Sequence, residues 1–353
     1  MTASSTISEG STILISGATG FIGAHCVGQL LQKNFKVKAL SRSLEKYEML
    51  KAEVPDTKRH LLTCVLLSDI LKYDDLLIAV KDCDGILHLA SPFTYSVTDF
   101  RKQLMEPAVI GTTNILKAAL LEPKIKKVVI TSSFAAVYDS SKGEQPNTVL
   151  TEKDFSPLTW EDGISTKDPK VAYRASKIVA ERAAWDFLKR ENPNFSISVL
   201  CPTMVFGPLY SIRLLKSVSE LNFSNTIIWK VLNSSSSEDL IPPTRGPVWV
   251  DVRDLALAHV RALVEPIAAN QRYLVSAGNY DNQEIADILR EASDYANLCH
   301  IPIGNPGERL ASTHFATDSS KATQELGIQF RPLKDSVIDI SKQLYQFIEN
   351  EIK

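Results

Sequence analysis

The chain has 353 residues, 44% hydrophobic and 23% charged, with a formal net charge of −2. That is enough chain for one large core or for two domains. The charge balance leaves no basic excess to displace counterions, which argues against a nucleic-acid partner.

The five cysteines are scattered and none forms a Cys-x-x-Cys pair, the pattern of free thiols in a reducing cytoplasm. The opening MTASSTISEG lacks the basic and apolar regions of a secretory signal. No apolar run approaches the length that spans a bilayer, so a cytoplasmic protein without membrane contact is expected.

The first apolar run, STILISG at 11–17, predicts a strand and leads directly into SGATGFIG. Gly17, Gly20 and Gly23 stand three apart, and an amphipathic helix is predicted over 22–33. Glycines in a strand-to-helix turn let backbone amides reach a pyrophosphate without a Cβ in the way, and the helix N-terminus adds partial positive charge. Gly17, Thr19, Gly20, Phe21, Ile22 and Gly23 are the expected cradle.

The second strand, FKVKALSR at 35–42, ends in SRSLEKYE. An acid at that tip would bind the adenosine ribose of NAD, but here Arg42 and Lys46 stand there instead. A guanidinium forks onto a phosphate, which favours the 2′-phosphate of NADP. The third strand, 60–67, is followed by Asp69, which is placed either to meet the adenine amino group or to cap a helix over 72–81.

The fourth strand is GILHLAS at 85–91, a helix is predicted over 108–121, and KKVVITSS at 126–133 is the fifth strand. It ends with Ser132 and Ser133 at the carboxyl edge. A strong helix pattern begins at Tyr173 and runs to the sixth strand, 196–202. Beyond 202, proline and serine become frequent. Helices are predicted over 281–294 and 318–326, with a seventh strand at 272–278.

Continuous Val/Ile/Leu runs indicate strands buried on both faces, and strand–helix alternation indicates a parallel sheet. The expected fold is α/β, a Rossmann-type doubly wound sheet of about seven strands. Residues 1–201 would form an NADP-binding domain with the return strand near 272–278, and 202–353 mainly a smaller substrate-binding lobe.

The spacing Tyr-x-x-x-Lys occurs three times, at Tyr47–Lys51, Tyr138–Lys142 and Tyr173–Lys177. Ligands lie outside the carboxyl ends of the strands. Tyr47 falls on a helix beside the adenosine half, and Tyr138 falls in a loop where the spacing aligns nothing. Tyr173 and Lys177 share a helix face near the reacting end. A phenol with an ordinary pKa of about 10 is a poor acid near neutrality, and a lysine cation one turn away favours the phenolate.

SGATGFIG, HLASP (88–92), EPAVIGTTNILKAA (106–119), TSSFAAVY, YRASK, CPTMVFGP (201–208) and VWVDVRDLALAHVRAL (248–263) follow one another along almost the whole chain. In this order they resemble the extended short-chain dehydrogenase/reductase family. PLTWEDG…AYRASKIVAERAAWDF is similar in particular to the fungal NADPH-dependent aldehyde/ketone reductases, relatives of plant dihydroflavonol and cinnamoyl-CoA reductases.

The resemblance implies a Ser133–Tyr173–Lys177 catalytic set, a choice between the two serines that spacing alone leaves open. It implies cofactor contacts at Ile70, Ala90, Ser91, Thr131, Pro202, Thr203 and Val205, and a substrate pocket including Phe93, Phe134 and Tyr210. Two positions depart from the pattern. Ala108 stands where the family carries an asparagine, so a relay through that side chain must be replaced by water or backbone. Ser16 replaces a threonine and keeps the hydroxyl.

The expected activity is NADPH-dependent reduction of a small-molecule carbonyl compound by a monomer or homodimer. The alternatives are a nucleotide-sugar epimerase or dehydratase of the same fold, and a regulator that binds NADPH without turnover. No metal is expected: the histidines are isolated, and His88 lies inside an apolar strand where a core role is the ordinary one.

Overall fold

The computed structural model describes residues 7–91, 97–292, 300–310 and 313–352. Its centre is a seven-stranded, all-parallel sheet in the order β3-β2-β1-β4-β5-β7-β10. The strands are β1 (Thr12–Ser16), β2 (Lys36–Ser41), β3 (Leu62–Leu66), β4 (Gly85–His88), β5 (Lys127–Thr131), β7 (Ser196–Pro202) and β10 (Gln271–Val275). All seven coincide with the apolar runs read from the sequence.

Successive side chains explain why those runs are continuous. Ile13 and Ile15 enter one core while Leu14 enters the other; Leu87 and Val129 join the first, Ile86, Val128 and Ile130 the second. Each fully buried aliphatic side chain contributes about 1.5–3 kcal/mol, so neither face can be polar.

In chain order the helices are α1 (Phe21–Gln32), α2 (Leu44–Ala52), α3 (Asp56–Arg59), α4 (Tyr73–Val80), α5 (Glu106–Leu120), α6 (Trp160–Ser165), α7 (Pro169–Glu191), α8 (Asn225–Leu232), α9 (Val252–Val264), α10 (Asn282–Glu291), α11 (Ser320–Leu326) and α12 (Leu333–Ile352). The first core is closed by α1, α9 and α11, the second by α4, α5 and α7. Two short parallel strands, β6 (Val149–Leu150) and β12 (Ala316–Thr317), pair with each other. A three-stranded sheet of β8 (Met204–Phe206), β9 (Val248–Asp251) and β11 (Gly278–Asn279) leads into a third core with α8, α10 and α12.

The chain after 202 returns to the main sheet at the strand expected near 272–278 and lays two helices against the first core. β10 extends the sheet edge, α9 packs on α1, and α11 packs on β10 and α9. The segment after 202 is therefore interleaved with the main sheet.

Two helices position the segment expected to carry the reacting groups. α7 starts with Asp168, whose side chain accepts from the Lys170 amide, and with Pro169 in the first turn. Ala172, Ala175 and Ala184 are buried along it; the Ala175 methyl faces Gly163 of α6, and α7 also packs against α5. Before α5, residues Arg101–Met105 form a π-turn, and Pro107 follows at once. A proline there has no N–H for the i→i−4 ladder, and the wider turn accommodates the break.

Candidate active site

The Gly17–Gly23 turn, the expected phosphate cradle, leaves little room for side chains. Gly17 has φ +72°, and a Cβ on it would lie 3.1 Å from the Ala90 amide nitrogen. A Cβ on Gly23 would lie 2.0 Å from the Gly17 carbonyl oxygen. Gly20 opens α1 without a side-chain cap, so the first amides of the helix are left for an anion. Thr19, Phe21 and Ile22 complete the turn, with the two apolar side chains packed against the first core.

Ser16 ties this turn to the end of β4. Its Oγ accepts from the Leu89 and Ala90 amides, both at 3.1 Å, and donates to His88 Nδ1 at 2.9 Å. His88 is buried, and burial holds its pKa down at about 4, so it is a neutral core histidine that joins two loops. Ala90 and Ser91 lie at this junction, half-buried.

Where the adenosine half of the cofactor is expected, Ser43 caps α2 by accepting from the Lys46 amide. Arg42 projects from the tip of β2, exposed, with no ion-pair or hydrogen-bond partner among the described residues. Lys46 stands 3.5 Å from Glu220, both exposed. Asp69 Oδ1 accepts from the Leu71 amide at 2.9 Å, so one carboxylate oxygen closes a local turn. Ile70 packs with the second core beside Gly111.

The three tyrosine–lysine pairs now separate. Tyr47 is buried, donates to the Leu62 carbonyl at 3.2 Å, and has its pKa pushed up to about 12 by burial. Tyr138 lies between two short 3-10 turns and donates to the Gly143 carbonyl at 2.6 Å. Tyr173 and Lys177 lie one turn apart on α7, with Nζ 5.5 Å from the ring centroid. Lys177 is only 9% exposed, and burial lowers its pKa to about 8. Its ammonium has no hydrogen-bond acceptor among the described residues.

The two serines separate as well. Ser132 is buried and donates to Glu181 Oε2 at 2.5 Å, leaving it no proton for a substrate. Ser133 is half-buried; its Oγ accepts from the Ala135 amide at 3.1 Å, and its proton has no acceptor among the described residues. The turn Phe134–Ala136 that follows packs on α7, the helix that carries Tyr173.

Other expected contacts are distributed unevenly. Pro202 ends β7, Thr203 Oγ1 donates to the Val275 carbonyl at 3.4 Å, and the Val205 amide donates to Ser224 Oγ at 3.1 Å. Phe134 is stacked on Tyr138 and tilted against Phe315, beside Ser133. Phe93 lies outside the described residues.

Two of the expected contact residues have protein partners in the structure. Thr131 turns its hydroxyl to His259 Nε2 at 2.7 Å, and His259 Nδ1 donates to the Leu255 carbonyl, so the Thr131 proton is held by α9. Tyr210 packs its ring edge-on to His25 and directly over Gly28, in the middle of α1. It belongs to the wall of the first core.

Ala108 is buried in α5 just beyond the π-turn, and its carbonyl accepts from the Thr112 hydroxyl at 2.9 Å. Sequence reasoning also missed Glu181, although a charge at the fourth position after Lys177 on an otherwise buried helix face was a visible signal.

The residues fit a phosphorylated dinucleotide. The uncapped helix start suits the pyrophosphate; Arg42, without an ion-pair or hydrogen-bond partner among the described residues, suits a 2′-phosphate; and the Lys177 ammonium, without a hydrogen-bond acceptor among them, suits a ribose diol. Residues 13–276 match the model of the NAD dependent epimerase/dehydratase family. The chain belongs to that family.

The NADPH-dependent methylglyoxal reductase GRE2 of Saccharomyces cerevisiae is 36% identical over 347 residues, covering 95% of this chain and 98% of the relative. Cinnamoyl-CoA reductase 1 of Petunia hybrida is 32% identical over 340 residues, covering 96% and 93%. The crystal structure of yeast methylglyoxal/isovaleraldehyde reductase Gre2 complexed with NADPH superposes with a TM-score of 0.86 at 34% identity, covering 96% of this chain and 99% of that one. The reductase resemblance read from the motifs and the expected sheet are both borne out.

Proposed function

We propose that the protein is an NADPH-dependent carbonyl reductase that converts an aldehyde or ketone to its alcohol. The nicotinamide, when bound, supplies hydride to the carbonyl carbon, and one proton completes the alcohol. Tyr173 delivers that proton to the carbonyl oxygen. The Ser133 hydroxyl hydrogen-bonds the same oxygen and stabilises the charge that develops there. Lys177, its cation one turn from the phenol, favours the phenolate that Tyr173 leaves and offers donors to the ribose hydroxyls. Proton exchange with water then restores the phenol.

The observation that carries this reading is the buried Lys177 ammonium, without a hydrogen-bond acceptor among the described residues, beside Tyr173 on the helix that meets the Ser133 turn. Arg42 at the β2 tip supports NADPH over NADH and disfavours the epimerase reading, in which NAD is held and recycled. Methylglyoxal, branched aldehydes, aryl ketones and keto esters are the proposed substrate range. It rests on the relatives and on the aromatic wall of Phe134 backed by Tyr138 and Phe315.

The test is NADPH oxidation with these carbonyl compounds by wild type and Tyr173→Phe. Turnover by the wild type, lost in the variant by at least about a hundredfold with NADPH still bound, is expected. A variant that keeps wild-type turnover removes Tyr173 from the chemistry.

A further inference from the structure

Tyr173, Lys177 and Glu181 recur at four-residue intervals along α7 and share one stripe of it. The first two face the proposed chemistry, whereas the third has no part in proton or hydride movement. Yet Glu181 is 2% exposed, and both oxygens of its carboxylate are engaged. Oε2 accepts from Ser132 Oγ at 2.5 Å and Cys201 Sγ at 3.6 Å. Oε1 accepts from Arg272 Nε at 2.6 Å and Trp185 Nε1 at 3.3 Å.

Arg272, on the edge strand β10, is itself 6% exposed. Beyond Glu181 it donates to the carbonyls of Ala136 at 3.2 Å, Glu152 at 2.7 Å and Asp154 at 2.5 Å. Its guanidinium lies over the Phe155 ring, 3.9 Å from the centroid.

A buried ion pair is poor value as a source of stability, because desolvating both charges offsets their attraction. What this pair does is hold geometry. It grips Ser132, directly before Ser133, and through Arg272 it grips the carbonyl of Ala136, at the end of the turn that Ser133 opens. Both grips end on the helix that carries Tyr173. Ser133 therefore hangs between two points fixed to its partner's helix.

We propose that Glu181, held by Arg272, is a positioning residue that sets the Ser133 hydroxyl against the Tyr173 phenol through its bond to Ser132. The proposal rests on the Ser133–Tyr173 reading above. Breaking the Ser132 bond frees the strand end, and a displacement of about 1 Å at a reacting group can cost about a hundredfold in rate.

The experiment compares Ser132→Ala, Ser132→Thr, Trp185→Phe and Ser133→Ala for kcat, carbonyl KM, NADPH Kd and Tm. Ser132→Ala should lower kcat about ten- to a hundredfold, with Kd for NADPH within about twofold. Ser132→Thr, which keeps the hydroxyl, should recover most of that loss. Trp185→Phe removes a different bond to the same carboxylate and should lower Tm comparably while leaving kcat within about twofold.

Wild-type kcat in Ser132→Ala, or an equal kcat loss in Trp185→Phe, overturns the positioning role. If this happens while Ser133→Ala is inactive, the catalytic reading survives alone. A fully active Ser133→Ala overturns the serine assignment and the positioning role together.

Discussion

Replacing Lys177 by methionine should make the unliganded protein more stable while removing its activity. Burial draws the Lys177 pKa from 10.5 to about 8. At about 1.36 kcal/mol per pKa unit, keeping the charged form folded costs about 3 kcal/mol near neutrality. The folded-state value lies below the unfolded one, so between about pH 8 and 10.5 the unfolded chain binds more protons and stability rises with pH. The penalty is complete below that window and absent above it.

Urea unfolding without nucleotide, from about pH 7 to about pH 10, measures the gap between Lys177→Met and wild type. It should be about 3 kcal/mol in favour of the variant at the lower end and shrink as pH rises. Methionine packing adds an offset that does not depend on pH, so the slope is the diagnostic. Other titrating groups, including Lys127, also brought down to about 8 by burial, are common to both proteins and cancel. A flat gap, or a variant less stable at neutral pH, refutes the claim that this ammonium is held at a loss for function.

Arg42→Ala should raise KM for NADPH about ten- to a hundredfold, the worth of a charge-assisted hydrogen bond or two, and KM for NADH by no more than about twofold. Equal effects on both would detach Arg42 from the 2′-phosphate. Tyr210→Ala should lower stability by about 2 kcal/mol, because its ring packs over Gly28 and His25. It should leave the carbonyl KM within about twofold; a tenfold rise would return Tyr210 to the substrate pocket.

The sheet was readable in the linear chain because burial on both faces imposes an unbroken apolar run. Such a run is visible without knowing its neighbours, and each of the seven became a strand of the sheet. The glycine turn was readable for the same kind of reason: the Gly17–Gly23 approach lies within seven consecutive residues. The Tyr173–Lys177 alignment follows from helix period alone.

Tertiary structure decided whatever depends on partners far away in sequence. Ser132 and Ser133 are chemically identical in the chain, and the arrival of Glu181 from α7 takes up the proton of the first, while that of the second has no acceptor among the described residues. Thr131 is claimed by His259, and Tyr210 by α1, across separations that no local pattern encodes. Local backbone chemistry acts between neighbours and so is written in sequence order. A side chain's hydrogen-bond partner is chosen by packing, which brings together residues whose spacing along the chain carries no trace of the contact.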